Sequence, residues 1–222
     1  AFAGGYQSDA TNDNAFAYGN DAQASGTNSI ALGLATKARG NESVAIGNLA
    51  ETASTATTAI ALGYNVKANG PSSVAFGNGS VAIGESSFAM GINSTTASGS
   101  GSFAGGNGAK AQGNNSIALG HDVKASGVTS AAFGLNTTAV GQYSFTQGYG
   151  TNATNESEAV LGQFNLPVAS AIFQVGDGNT SSSQSNLISA IKGGVPADSW
   201  MAIGSGTVSP ARETNERLRV YG

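Results

Sequence analysis

Ser29-Ile30-Ala31-Leu32-Gly33 and, fourteen residues on, Ser43-Val44-Ala45-Ile46-Gly47 form the stretch from which the rest of the chain is read. The pattern is a small residue, an apolar residue, Ala, an apolar residue, then Gly. It begins at Ala15-Phe16-Ala17-Tyr18-Gly19 and returns at Ala59-Ile60-Ala61-Leu62-Gly63, Ser73-Val74-Ala75-Phe76-Gly77 and Ser87-Phe88-Ala89-Met90-Gly91. It continues through Ser102-Phe103-Ala104-Gly105-Gly106, Ser116-Ile117-Ala118-Leu119-Gly120 and Ser130-Ala131-Ala132-Phe133-Gly134, with looser copies ending at Gly148 and Gly162. Most neighbouring copies keep the fourteen-residue spacing, with two residues inserted before Ala59 and one before Ser102. Between them runs a weaker second pattern, as in Thr36-Lys37-Ala38-Arg39-Gly40 and Val123-Lys124-Ala125-Ser126-Gly127. A fixed internal period of this kind identifies a stacked repeat fold before any single element is assigned. Each repeat reads as two five-residue strands separated by two-residue turns.

Successive side chains of a strand face opposite ways, so Ser29, Ala31 and Gly33 share one face while Ile30 and Leu32 share the other. A coil this short encloses a thin space that only Ala, Ser, Thr and Gly fill. The small residues therefore point inward. A column of Ile30, Leu32, Val44, Ile46, Ile60, Leu62, Val74, Phe76, Phe88, Met90, Ile117, Leu119 and Phe133 points outward. On the second strands the outward positions hold Lys37, Arg39, Lys67, Asn69, Lys110, Gln112, Lys124 and Ser126, a solvated face. At roughly 2 kcal/mol per buried aliphatic side chain, covering the apolar column is worth on the order of tens of kcal/mol. Left open, it exceeds the patch that a soluble monomer carries. The expectation is self-association through this face, with three rolls or two about an axis.

Composition points the same way. Of 222 residues, 33 are Gly and only 10% are charged, which disfavours helices with charged outer faces. The net charge of −4 leaves no basic footprint for nucleic acid. With no cysteine there is neither a disulfide framework nor a thiolate metal site. No run of eighteen apolar residues appears, so no direct membrane insertion is expected of this segment. The chain opens in mid-pattern at Ala1-Phe2-Ala3-Gly4-Gly5 and reads as a piece of a longer polypeptide.

The tandem Ser-Val-Ala-Ile-Gly repeats at this period resemble the head domain of YadA-type trimeric autotransporter adhesins. The resemblance covers residues 1–162 and implies an all-β, left-handed parallel β-roll of fourteen-residue coils assembling as a homotrimer, with the column from Ile30 to Phe133 as the trimer interface. It implies a non-enzymatic fibre segment on the exterior of an outer-membrane-anchored bacterial surface. Its partners would be a target-cell glycan or an extracellular-matrix protein. Residues 163–222 read as a small β-rich cap or neck that also trimerises, with short antiparallel strands around a Gly176-Asp177-Gly178-Asn179 turn and Trp200 as a core anchor. This tail is more distantly similar to the region below β-roll repeats in bacteriophage tail fibres and environmental bacterial surface proteins. Ile172 to Asn186, Met201-Ala202-Ile203-Gly204, Gly206-Thr207, Ser209-Pro210 and Leu218-Arg219-Val220 carry that likeness. It keeps open a receptor-binding tail fibre on a virion. The autotransporter family continues into a coiled-coil stalk and a barrel, of which neither is visible here.

Candidate ligand contacts come from departures in the pattern. From Ser73 to Gly91 three strands of the first type follow at seven-residue spacing, which places Ser80-Val81-Ala82-Ile83-Gly84 on the otherwise polar sheet and turns Val81 and Ile83 to solvent. Tyr6, Tyr64 and Tyr149 each come just after the close of a first strand, at turns along one edge, where tyrosine is a frequent contact for proteins and sugars. Catalytic signals are few. His121, the one imidazole, lies beside Asp122 in a turn, and a triad would need a serine brought to it. No nucleophile elbow, phosphate loop or metal-binding His pair is present. Asp177 is a turn residue that could touch a cation. No cofactor, metal or catalytic residue is assigned. A fibre-borne polysaccharide hydrolase would need close carboxylates, and an ice-binding solenoid would need a flat threonine array.

Overall fold

A computed structural model describes residues 1–93, 95–192, 200–203 and 218–220, the last three and Trp200 by main chain alone. The chain forms two compact units, Ala1–Leu119 and Gly120–Gly222. Both are parallel β-solenoids of fourteen-residue coils, and the described residues contain no helix.

In the first unit, Phe2–Gly4, Phe16–Asn20, Ile30–Leu34, Val44–Asn48, Ile60–Tyr64, Val74–Asn78, Phe88–Ile92 and Phe103–Asn107 form one parallel sheet. Opposite it lies a second sheet of Asp9–Ala10, Gln23–Ala24, Lys37–Ala38, Glu51–Thr52, Lys67–Ala68, Val81–Ala82, Thr96–Ala97 and Lys110–Ala111. Register follows the repeat, with Ile30 opposite Val44 and Leu32 opposite Ile46. Val44 still meets Ile60 across the two-residue insertion, which is absorbed in the turn where Ala56 N donates to Ala53 O at 3.0 Å.

The two strands of a coil are unequal, five residues against two, where equal lengths were expected. The second strand is cut short by its own turn. Ser25 N and Gly26 N both donate to Ala38 O, at 2.9 and 3.2 Å, and Ser29 turns its N–H and Oγ back to Gly26 O, at 3.2 and 2.6 Å. Two of these amides converge on a single carbonyl of the next coil and the third is spent inside its own coil, so they do not extend the ladder.

Between the sheets the filling is as small as the spacing requires. Ser29, Ala31, Thr36 and Ala38 are fully buried, and equivalent residues repeat this in the coils from Ala15 onward. The glycines that close the first pattern do not fill this space as expected for Gly33. Gly33 has φ +126°, and a Cβ there would lie 1.9 Å from Gly47 O. Its role is to let one coil stack on the next. Turns are laddered as well, since Asn28 and Glu42 occupy the left-handed region at φ 55° and 57° and donate to Asp13 O and Thr27 O of the preceding coil.

In the second unit the long strands Ala131–Leu135, Phe145–Tyr149 and Ala159–Gln163 and the short strands Lys124–Ala125, Thr138–Ala139 and Asn152–Ala153 repeat this plan. Past Gly162 the antiparallel strands expected do not follow at once. Ala171–Asp177 first adds a parallel rung to Ala159–Gln163, because Phe173 and Val175 continue the outward rows. Only then does the chain reverse, with Asn186–Ile191 antiparallel to that rung and Trp200–Ile203 antiparallel in turn. Leu218–Val220 closes the sheet in parallel with Trp200–Ile203. Asp177 belongs to the strand, and the reversal falls at the Thr180–Ser183 bridge. The Trp200 side chain and Gly204, Gly206, Thr207, Ser209 and Pro210 lie outside the described residues, as do the side chains of Leu218, Arg219 and Val220.

Candidate functional site

The outer face of the long strands is the most extended surface feature of the first unit. Register sets two rows along it. One runs Phe2, Phe16, Ile30, Val44, Ile60, Val74, Phe88, Phe103. The other runs Tyr18, Leu32, Ile46, Leu62, Phe76, Met90 and is interrupted at Gly105, where Leu119 Cδ2 occupies the space of a side chain. Rings stack where the register sets Phe on Phe, at 5.1 Å for both Phe2–Phe16 and Phe88–Phe103. Such cross-strand pairs of aromatic and β-branched side chains stabilise the sheet but leave its outer surface bare. Ile30, Ile46, Phe76, Met90 and Ile117 are exposed, Phe76 at 48%, and Leu32, Val44, Ile60, Leu62, Val74, Phe88 and Leu119 are half-buried. In the second unit the half-buried Phe133 lies 5.6 Å from Phe145, and its row continues through Gln147 and Leu161, a more polar surface.

The outer face of the short strands is built differently. Gln23, Lys37, Glu51, Lys67, Val81, Thr96 and Lys110 follow one another in register. Glu51 thus has a lysine on either side and pairs with Arg39 at 2.5 Å, a half-buried pair at the surface worth on the order of 1 kcal/mol. Val81 is the apolar member of this row, half-buried, and Ile83 beside it is 48% exposed.

Tyr6 occupies the turn after Phe2–Gly4 and is exposed. Tyr64 and Tyr149 are the last residues of their long strands and not turn residues as expected, because those strands run one position beyond the glycine. Tyr149 is 42% exposed and meets the buried Phe164 ring edge-on at 4.5 Å. His121 Nε2 lies 3.5 Å from Asp122 Oδ2, a surface contact between chain neighbours. Asp177 accepts a 2.6 Å hydrogen bond from Ser185 Oγ within the second unit. Among the described residues no three His, Cys, Asp or Glu side chains cluster to hold a metal, and no helix is long and apolar enough to cross a membrane.

One buried polar cluster escaped the sequence reading. Glu158 is 1% exposed and occupies the inward position held by Ser144 one coil earlier. Its Oε2 accepts from Thr154 N, Asn155 N and Asn155 Nδ2 at 2.8, 2.9 and 3.0 Å. Burial pushes its carboxyl above the ordinary value, and those bonds pull it partly back. Asn155 also donates to Val168 O, while Asn186 exchanges two bonds with the Leu166 main chain at 3.0 and 2.7 Å. The side chains thus close the end of the coiled region, where the short-strand sheet stops at Asn152–Ala153. The one signal for this was a Glu at a Ser position of the repeat.

Comparison with known proteins agrees with this geometry. The family model for the YadA head domain repeat, in two copies, matches residues 24–50, 54–80, 97–122 and 125–145. The gap from 81 to 96 falls where Val81 and the single insertion depart from the repeat. No curated protein matches the chain. The matched segments lie within the described solenoid coils, and over these four segments the chain is built of YadA head domain repeats.

Proposed function

We propose that this chain is a non-enzymatic segment of a homotrimeric surface fibre, of the trimeric autotransporter adhesin kind, that attaches its bearer to a target cell or matrix. The observation that supports it most is the pair of apolar rows from Phe2 to Phe103 and Tyr18 to Met90, uncovered in the single chain and regular enough to meet copies of themselves. A repeating flat face favours a partner with the same period, and the same chain provides one. Three copies around an axis then repeat each weak surface site, so that avidity replaces individual affinity. The left-handed, trimeric assembly and the bacterial exterior location come with the family. The tail-fibre alternative rests on the likeness carried by Ile172 to Asn186, Met201-Ala202-Ile203-Gly204, Gly206-Thr207, Ser209-Pro210 and Leu218-Arg219-Val220, and the comparisons with known proteins add nothing to it.

Sedimentation equilibrium tests the assembly. The expected result is a trimer for the native chain and loss of the trimer in Ile46→Asp, which sets a carboxylate in the middle of the second row. A folded native monomer overturns the proposal. Beads coated with the trimer are expected to adhere to cells or matrix, and beads coated with Ile46→Asp to adhere far less.

A further inference from the structure

We propose that a cleft in the second unit, between Tyr149 and the loop at residues 179–184, binds a neutral saccharide. The inference rests on the adhesive reading above and names its ligand class and place. The cleft is an open groove of about 460 Å³, inside the roughly 300–1,000 Å³ typical of ligand sites. Tyr149, Asn136, Asn152, Asn179, Thr180 and Gln184 line it.

Three features choose the ligand. The first is a ring held ready for stacking. Phe164 backs Tyr149 edge-on at 4.5 Å, and Gly150 permits this approach, since a Cβ there would lie 2.5 Å from Phe164 Cε1. A fixed aromatic face accepts the C–H face of a pyranose at little entropic cost. The second is the polar lining, which consists of amides and hydroxyls, groups that donate and accept and so match sugar hydroxyls in either sense. The third is charge. No ionisable Lys, Arg, Asp or Glu is among the described residues lining the cleft, which removes any partner for a phosphate, sulfate or sialate.

The outer wall is a built turn and not a loose loop. Asn179 N donates to Ser183 O at 3.1 Å and Ser183 N to Thr180 O at 3.0 Å, which presents Asn179, Thr180 and Gln184 on the cleft side. A second cleft, lined by Asn155, Glu156, Ser170, Ile172 and Lys192 among others, has no aromatic ring and carries both charges, so it lacks this chemistry.

The test uses titration calorimetry and saturation-transfer NMR on the assembled full chain. The probes are lactose, maltotriose and triacetylchitotriose, with sialyllactose and a pool of uncharged peptides as comparators. At least one neutral sugar is expected to bind. Tyr149→Ala should weaken it about tenfold and Gln184→Ala severalfold, while Tyr149→Phe stays within about threefold and Lys124→Ala, outside the cleft, is unchanged. Tyr149→Phe keeps the packed ring and Gln184 lies on an exposed turn, so both variants report on binding with the fold intact. The cleft proposal is overturned if no neutral sugar binds, if sialyllactose or peptide is preferred, or if Tyr149→Ala has no effect. Adhesion of beads without sugar binding sinks the cleft alone. Sugar binding without adhesion sinks the adhesive reading alone.

Discussion

Gly33 shows how little freedom a single residue has in this fold. It combines φ +126° with a neighbour at 1.9 Å from where a Cβ would stand, and that neighbour is backbone, which cannot rotate away. Gly33→Ala is therefore expected to destabilise the chain by about 3 kcal/mol or more, and Ser25→Ala, on an exposed side chain, by less than about 0.5 kcal/mol. Chemical denaturation of both variants measures the contrast. Glu158 gives a second prediction. Its carboxyl is held above the ordinary 4.5 chiefly by burial, so the folded chain keeps a proton that the unfolded chain releases. This stability is fully present below pH 4.5 and is lost as pH rises through the folded value. Melting curves from pH 4 upward should show that decline in the native chain and its removal in Glu158→Gln. The glycine could be read in the sequence as a repeat position, but its conformation could not, because φ depends on where the next coil passes.

At the scale of the element, the repeat makes whole coils interchangeable and half coils not. Removing residues 29–42 joins Asn28 to Ser43, which keeps a left-handed turn residue before a buried Ser and preserves every register. Removing only residues 29–35 sends every later long strand to the polar sheet and buries nothing in its place. Circular dichroism and limited proteolysis should find the fourteen-residue deletion folded and the seven-residue deletion not. The natural chain contains one such seven-residue step at Val81, and there the coil keeps its pitch by placing Val81 between Lys67 and Thr96. That placement was legible from spacing alone. The inequality of the two strands was not, since both patterns have five letters and only the turn at Gly26 ends the second ladder early.

For the whole molecule the deciding quantity is apolar surface that one chain leaves open. If the rows from Phe2 to Phe103 are covered by sister chains, folding and association are linked, and the unfolding temperature should rise with chain concentration. Ile46→Asp should abolish that dependence, and calorimetric scans over a dilution series read it directly. With a net charge of −4 and few charged side chains, added salt should shift the unfolding temperature far less than dilution does.

The fourteen-residue period, the inward Ala and Ser, the outward apolar rows and the parallel sheets all followed from the sequence. Alternation along a strand is a local rule, and identical repeats meet best in register. The tertiary structure alone decided the stacking of Gly33 on Gly47, the polar closure around Glu158 and the cleft beside Tyr149. Each of these depends on groups that the repeat does not encode, such as Asn186 reaching the Leu166 main chain or Phe164 backing the Tyr149 ring. Their meeting is set by how the chain folds back after its last coil.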